Sequence, residues 1–213
     1  IVNIDKKRIV QYVSMQLSSF FPLDEELNKT LLSTYVDMAL ERLAYCFSSI
    51  NKKYYQNDNV AEFNVLNSDH YAMFLYFLSN TVYRQEGELT LAERLFLLNK
   101  SLHGLDAFYS ISLPDIFYFV HPLGTVLGHA NYSDYFVVYQ GCTIGSTVAG
   151  KYPAFSKGVV MYEKSTVIGD CTVGENVIIG SNSSIIDCKI DHNSVVVGNY
   201  PTHRVLKNKY NVK

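Results

Sequence analysis

The chain has 213 residues, 48% of them hydrophobic and 18% charged, so it can bury a substantial core and lacks the composition of a disordered protein. Eighteen Lys and Arg against twenty Asp and Glu leave a net charge of -2, which argues against a nucleic-acid binder with its basic excess. No apolar run reaches the ~20 residues of a membrane span. Residues 1–7 carry no charged-then-apolar leader. Cys46, Cys142, Cys171 and Cys188 form neither a CxxC pair nor a metal-ligand spacing. The expectation is a reduced, cytoplasmic protein without a metal.

Residues 4 to about 107 read as helices. Ile9, Val10, Val13 and Leu17 recur at helical spacing, and Pro22 closes that segment. A second helix is predicted from about Asp24 to Ser48, with Leu27, Leu31, Tyr35, Met38 and Arg42 as a mostly apolar stripe. The polar stretch Asn51 to Asn67 reads as a connector. A third helix, about Ser68 to Arg84, is rich in aromatic residues and Leu. Thr90 followed by Glu93 is a capping-box signal for a fourth, which Gly104 would end. These helices read as packing and assembly elements rather than as a cofactor site.

From Val120 the period becomes six. Val120, Val126, Tyr132, Val138 and Ile144 stand six apart, as do Phe155, Met161, Val167, Val173, Ile179 and Ile185; Ile190 comes one residue early and Val196 restores the step. Neither a helix nor an ordinary strand has that period. It is the mark of a parallel β-helix with three short strands and about 18 residues per coil. The repeat residues point inward, and the position two before each should be small, as Cys142, Ser165, Cys171, Ser183, Cys188 and Ser194 are. Gly145, Gly174 and Gly180 follow repeat residues, where tight turning is expected. The one large break, between Ile144 and Phe155, holds Thr147 to Pro153 and is expected to project from an edge.

The repeat, with Ile168-Gly169-Asp170, Val173-Gly174-Glu175-Asn176-Val177 and Ile179-Gly180-Ser181, resembles the hexapeptide-repeat acyltransferases. The helical front followed by His121-Pro122 is similar to their serine acetyltransferase-like branch. The resemblance implies an α+β chain, an N-terminal α-helical domain followed by a left-handed parallel β-helix, with the helical domain over 1–117, the β-helix over 118–201 and a tail over 202–213. It further implies an acetyl-CoA-dependent O-acetyltransferase, assembled as a homotrimer or a dimer of trimers. Its acceptor side departs from the family pattern. Phe119 stands where the family has an Asp, Gly128-His129-Ala130-Asn131 where it has Asp-His-Ala-Thr, and Lys151-Tyr152-Pro153 where it has Arg-His-Pro. Those losses turn the expectation from free serine toward a sugar hydroxyl of a surface-polysaccharide pathway, with serine as the alternative acceptor.

Moving an acetyl group from a thioester to a hydroxyl needs a base, donors for the oxyanion, and a held geometry. Histidine suits the base, being mostly neutral near pH 7. Among His70, His103, His121, His129, His192 and His203, the two that match family positions are His129 and His121, and the base is expected to be one of them. His129 plus 18 lands on Thr147, beneath the projecting loop, and His121 plus 18 on Tyr139. Asp69 is a candidate acceptor contact or histidine orienter, and Lys151 and Tyr152 are candidate acceptor contacts. Ser165, Gly180 and Ser181 are candidates for the pantetheine arm, and Arg204 and Lys207 for the 3′-phosphate of acetyl-CoA. Two other classes use such a prism: a metal-dependent enzyme with three His ligands, for which only His121 and His129 lie in the early coils, and a non-catalytic trimeric scaffold.

Overall fold

The computed structural model describes residues 5–22, 27–52, 54–57 and 60–211. Among them, four helices come first: α1 (Lys6–Phe20), α2 (Lys29–Ser48), α3 (Ser68–Arg84) and α4 (Leu89–His103). Side-chain oxygens of Asp5, Asn28 and Asn67 cap the first three by accepting free backbone N–H groups. The predicted start of the second helix at Asp24 lies outside the described residues. The capping box predicted for the fourth does not form: Glu88 is its N-cap, without a side-chain hydrogen bond, and Thr90 is already inside the helix. Gly104 ends α4 as expected, in the left-handed region at φ 62°.

The buried face of α2 is Leu32, Tyr35, Val36, Ala39, Leu43 and Cys46, so the predicted stripe is rotated and shares only Tyr35 with it. The polar connector holds a two-residue antiparallel pair, Gln56–Asn57 with Val60–Ala61, and buries Ala61, Phe63 and Val65. Helix α3 is buried continuously from His70 to Val82. A helix apolar all round must be the centre of its bundle, and α2 and α4 pack on it.

From Asp106 the chain winds into a parallel β-solenoid of about five turns. One face is a six-stranded sheet: Phe117–Phe119, Phe136–Val138, Val160–Met161, Ile178–Ile179, Ser194–Val197 and an antiparallel last strand, Arg204–Lys207. The second face has five strands: Asp106–Ala107, Val126–Leu127, Thr143–Gly145, Thr166–Ile168 and Ser184–Ile186. The third has three: Ala154–Phe155, Thr172–Val173 and Lys189–Ile190. Pairing therefore reaches beyond both residue 117 and residue 201, into segments assigned from the sequence to the helical domain and the tail.

Stacking in register builds the core. Phe119, Val138, Met161, Ile179 and Val196 lie one above another inside the first face. Ala107, Leu127, Ile144, Val167 and Ile185 do the same inside the second. Each large member contributes roughly 1.5–3 kcal/mol by leaving water. The six-residue step holds from Val138 on but fails in the first coil, where the inward residues are Phe119 and Leu127, eight apart, rather than Val120 and Val126. Two extra residues, His121 and Pro122, cause the offset. Val120 stands over Tyr139, its N–H donating to the Val138 carbonyl, and Leu123 takes the place above Gln140, so His121 and Pro122 bulge from the corner.

The small interior positions are as expected: Cys142, Ser165, Cys171, Ser183 and Ser194 are buried and Cys188 is half-buried. Gly174 and Gly180 are small for a different reason from the one predicted. Neither has a positive φ; a Cβ would stand 2.7 Å from the His192 nitrogen or 2.9 Å from the Val196 carbonyl, so the next coil excludes it.

The helices close the top of the solenoid by hydrogen bonding to its first coil. Cys46 Sγ donates to the Phe117 carbonyl (3.1 Å) and Tyr55 Oη to that of Phe119 (2.9 Å). Asn80 Nδ2 donates to Tyr109 O (2.8 Å) and Tyr76 Oη to Ile111 O (2.7 Å). An open sheet edge is thereby covered. Among the described residues no helix is long and apolar enough to cross a membrane.

Candidate active site

The candidate residues fall on two different edges of the prism. The first edge joins the six-stranded and five-stranded sheets and carries His121 at its top. His121 has φ +49°, a left-handed backbone that costs a non-glycine residue roughly 1–2 kcal/mol. What holds it there comes from α3. Asp69 Oδ1 accepts the backbone N–H of His121 at 3.1 Å and the Ser68 hydroxyl at 3.4 Å. The other carboxylate oxygen, Oδ2, lies 3.9 Å from His121 Nδ1. The Asp69 side chain is 15% exposed and that of His121 76%, so a shielded carboxylate faces an imidazole open to solvent.

Below His121, the same edge carries Gln140, then Glu163, then Ser181, one per coil. Gly180 adjoins Ser181 here, and its N–H and carbonyl are both engaged within the solenoid. The last strand pairs Arg204 with Val197, so Arg204 stands at the foot of this edge. Six strands at about 4.8 Å spacing place it roughly 24 Å from the top. Lys207 pairs with Ser194, at the opposite margin of that sheet. Ser165 is fully buried, its hydroxyl 3.5 Å from Cys142 Sγ, its carbonyl accepting from Thr143 N–H and its own N–H donating to the Tyr162 carbonyl.

The second edge joins the five-stranded and three-stranded sheets. His129 follows Gly128, whose N–H donates to the Ile144 carbonyl; one coil is 17 residues there, so His129 lies over Ser146, one residue short of Thr147. The projecting loop leaves the prism beside it. Tyr152, half exposed on that loop, meets the His129 ring edge-on at 5.9 Å between centroids, and Lys151 is exposed next to it. Pro153 fixes the loop's return, its carbonyl accepting from Asn131 N–H at 3.0 Å.

The other histidines are placed by packing. His70 is buried between Phe47 and Tyr55, with Nδ1 accepting from Asn64 N–H, and burial pushes its pKa down to about 4. His103, at the end of α4, is lowered by burial as well and pairs with Asn99. His192 Nδ1 accepts from Glu175 N–H at 2.9 Å. Among the described residues no three His, Cys, Asp or Glu side chains converge as a metal site would require.

A feature missed from the sequence is an outward aromatic band. Tyr118, Tyr139 and Tyr162 stand on the outer side of the six-stranded sheet next to the first edge, with the Tyr139 and Tyr162 rings 4.8 Å apart. With Ser49 to Lys52 from the end of α2, and with Tyr210, they enclose a cleft of about 590 Å³. The strand alternation of Phe117–Phe119 carried the signal: with Phe117 and Phe119 inward, Tyr118 must face out.

No protein-family model matches the sequence. Among curated relatives, the serine acetyltransferase of Synechococcus elongatus is 32% identical over 102 residues, which is 44% of this chain and 42% of the relative. That of Staphylococcus xylosus is 24% identical over 130 residues, 59% of this chain and 60% of the relative. The chain thus spans less than two thirds of the length of the curated relatives it matches. The solved serine acetyltransferase of Brucella abortus superposes with a TM-score of 0.73 at 19% identity, covering 96% of this chain and 84% of that one. A second structure of that enzyme, in complex with coenzyme A, superposes with a TM-score of 0.71 at 17% identity, covering 98% of this chain and 84% of that one. The expected architecture, a helical domain followed by a parallel β-helix, is therefore the one observed, and the chain shares it with the solved serine acetyltransferases.

Proposed function

We propose that the protein is an acetyl-CoA-dependent O-acetyltransferase working along the first edge of its solenoid. The observation that carries this reading is the arrangement of that edge: an accessible imidazole paired with a carboxylate at the top, and a cation, Arg204, about 24 Å below. A long donor with a thioester at one end and phosphates at the other matches such a track. Gly180 and Ser181 flank its middle. Lys207, at the far margin of the sheet, would reach a phosphate only from another copy or around the foot of the prism. The relatives' names and the neighbour solved with coenzyme A support the choice of donor.

In the reaction, histidine Nε2 takes the acceptor's hydroxyl proton as the oxygen attacks the thioester carbonyl. The tetrahedral oxyanion collapses, the C–S bond breaks, and the imidazolium returns the proton to the CoA thiolate. His121 and His129 are the two candidates for this role. Lys151 and Tyr152 line the loop that, in a homotrimer or a dimer of trimers, would cover the edge of a neighbouring copy. The division into a helical domain over 1–117, a β-helix over 118–201 and a tail over 202–213 is retained as a proposal.

The acceptor we favour is a sugar hydroxyl of a surface-polysaccharide precursor. An amino acid brings an ammonium and a carboxylate and needs counter-charges beside the base; Phe119 is fully buried in the core and Gly128 has no side chain where such charges would stand. The tyrosine-lined cleft beside the edge offers a stacking surface for an uncharged ring instead. Serine is the second reading, favoured by the names of the relatives. A thiol-release assay with acetyl-CoA, run against serine and a panel of sugars and nucleotide sugars, tests both. Release that depends on a sugar supports the first reading. Release with serine alone supports the second, and no release with any acceptor removes the enzymatic reading.

A further inference from the structure

We propose that the tyrosine-lined cleft on the six-stranded sheet is a saccharide subsite that holds a unit of the acceptor other than the one acetylated; the inference rests on the sugar-acceptor reading above. The floor of the cleft follows from register. Val137, Val160 and Ile178 stack on successive coils and face outward, where a solenoid face normally meets water, yet Val137 and Val160 are buried. Tyr139 and Tyr162, one coil apart with rings 4.8 Å from each other, stand along one side. Tyr118, in register above Val137, and the Ser49–Lys52 segment close the top. Tyr135, at the other end of the strand from Tyr139, lines the cleft together with Tyr210 and Asn211 of the tail. Asparagines fasten the tail there. Asn208 N–H donates to Asn193 O (2.7 Å), Asn208 Nδ2 to Asn176 O (3.0 Å), and Asn176 Nδ2 to Tyr210 O (3.0 Å). The Tyr210 backbone is thus held while its ring, 76% exposed, can fold over an occupant.

The chemistry of the lining selects that occupant. Lys52 is the one charged side chain among the described lining residues, too little counter-charge for a zwitterion or a polyphosphate. A nucleobase presents fixed donors and acceptors, but the backbone amides of the floor are committed to the ladder. A pyranose has an apolar C–H face and a rim of hydroxyls. It matches an aliphatic floor ringed by tyrosine hydroxyls, which donate or accept by rotation. Burial pushes the Tyr118 pKa up to about 12, so that hydroxyl stays neutral. The volume of about 590 Å³ is that of an ordinary small-molecule site. Neither His121 nor His129 lines the cleft, so the ring held there is not the one presented to the base, and the preferred acceptor has at least two sugar units.

The test is saturation-transfer NMR on the intact chain without acetyl-CoA. The probes are glucose, galactose, N-acetylglucosamine and a disaccharide of each, with uridine as the non-sugar. The sugars should bind and uridine should not. Tyr139→Ala and Tyr162→Ala should each weaken binding roughly 2–10-fold with the melting temperature unchanged, and Tyr210→Ala should weaken it less. In turnover, KM for a disaccharide acceptor should rise by the same factor while KM for acetyl-CoA stays constant. No sugar bound, uridine bound in preference, or equal binding by wild type and the double variant Tyr139→Ala/Tyr162→Ala overturns the proposal. Tyrosine-dependent binding in a protein that acetylates no sugar keeps the cleft as a saccharide site and fails the sugar-acceptor reading. Sugar turnover whose KM ignores the tyrosines keeps that reading and overturns the subsite.

Discussion

The two histidine-bearing edges of the solenoid differ in how much of the molecule holds them. At the first, a two-residue bulge pushes His121 out of the coil, and a carboxylate from a helix 52 residues earlier in the chain accepts its backbone N–H and lies 3.9 Å from its ring Nδ1. At the second, His129 stays in the coil and meets the edge of the Tyr152 ring, on a loop whose Val148 and Tyr152 are exposed. A proton acceptor must be held; a lid or acceptor contact must move. The difference is that the helical half holds the first histidine, whereas a projecting loop flanks the second.

Acid separates the edges most strongly. His70 adjoins Asp69 on α3 and is buried, with its pKa held at about 4 against an ordinary value of about 6.5. The unfolded chain therefore binds a proton that the folded chain refuses. Stability from this site is intact above about pH 6.5 and is lost as pH falls toward about 4, with a total effect of about 3 kcal/mol. Melting followed by circular dichroism at several pH values should show helical signal lost in acid ahead of the β signal. Helices and solenoid melting together, with no fall in stability below pH 6.5, would contradict it.

Gly128→Ala strikes the second edge alone. The new Cβ would stand 2.6 Å from the Ile144 carbonyl oxygen, backbone that cannot step aside, and should cost roughly 1–3 kcal/mol. Thermal unfolding reads this directly, and the Asp69–His121 contact should survive in the folded fraction. Tyr152→Ala should be milder still: a few-fold rise in acceptor KM, about 1 kcal/mol, with no change in melting. A collapse of kcat in that variant would mean that the second edge takes part in proton transfer. The smallest effect concerns the seam between the halves. Burial pushes the Cys46 thiol up to about 12, and its Sγ donates to the Phe117 carbonyl. It should resist thiol reagents in native protein near neutral pH, and labelling at the unfolded rate would show the helices lifting off the first coil.

The solenoid was legible because its rule is local and repeated. From Val138 to Val196 each inward residue follows from the last by a six-residue step, shortened by one at Ile190 and lengthened at the loop. The first coil was not, because the His121-Pro122 bulge shifts the register by two and left Val120 and Val126 looking like repeat residues. The candidate residues themselves were readable as types. Their grouping was not: Asp69 and His121 meet only because α3 docks on the first coil, and a pairing across 52 residues leaves no local pattern. The start of α4 was misread for the opposite reason. Thr90 and Glu93 have the spacing of a capping box, but the helix gains its first turn from packing of Leu91 and Ala92 and begins one residue before that threonine.

The most direct measurement is turnover of His121→Ala beside His129→Ala, with the same acceptor and saturating acetyl-CoA. Loss of the base should lower kcat by roughly 10²-fold or more in one of the two variants, while the other mainly changes acceptor KM. Full turnover in both variants would contradict a histidine base on either edge.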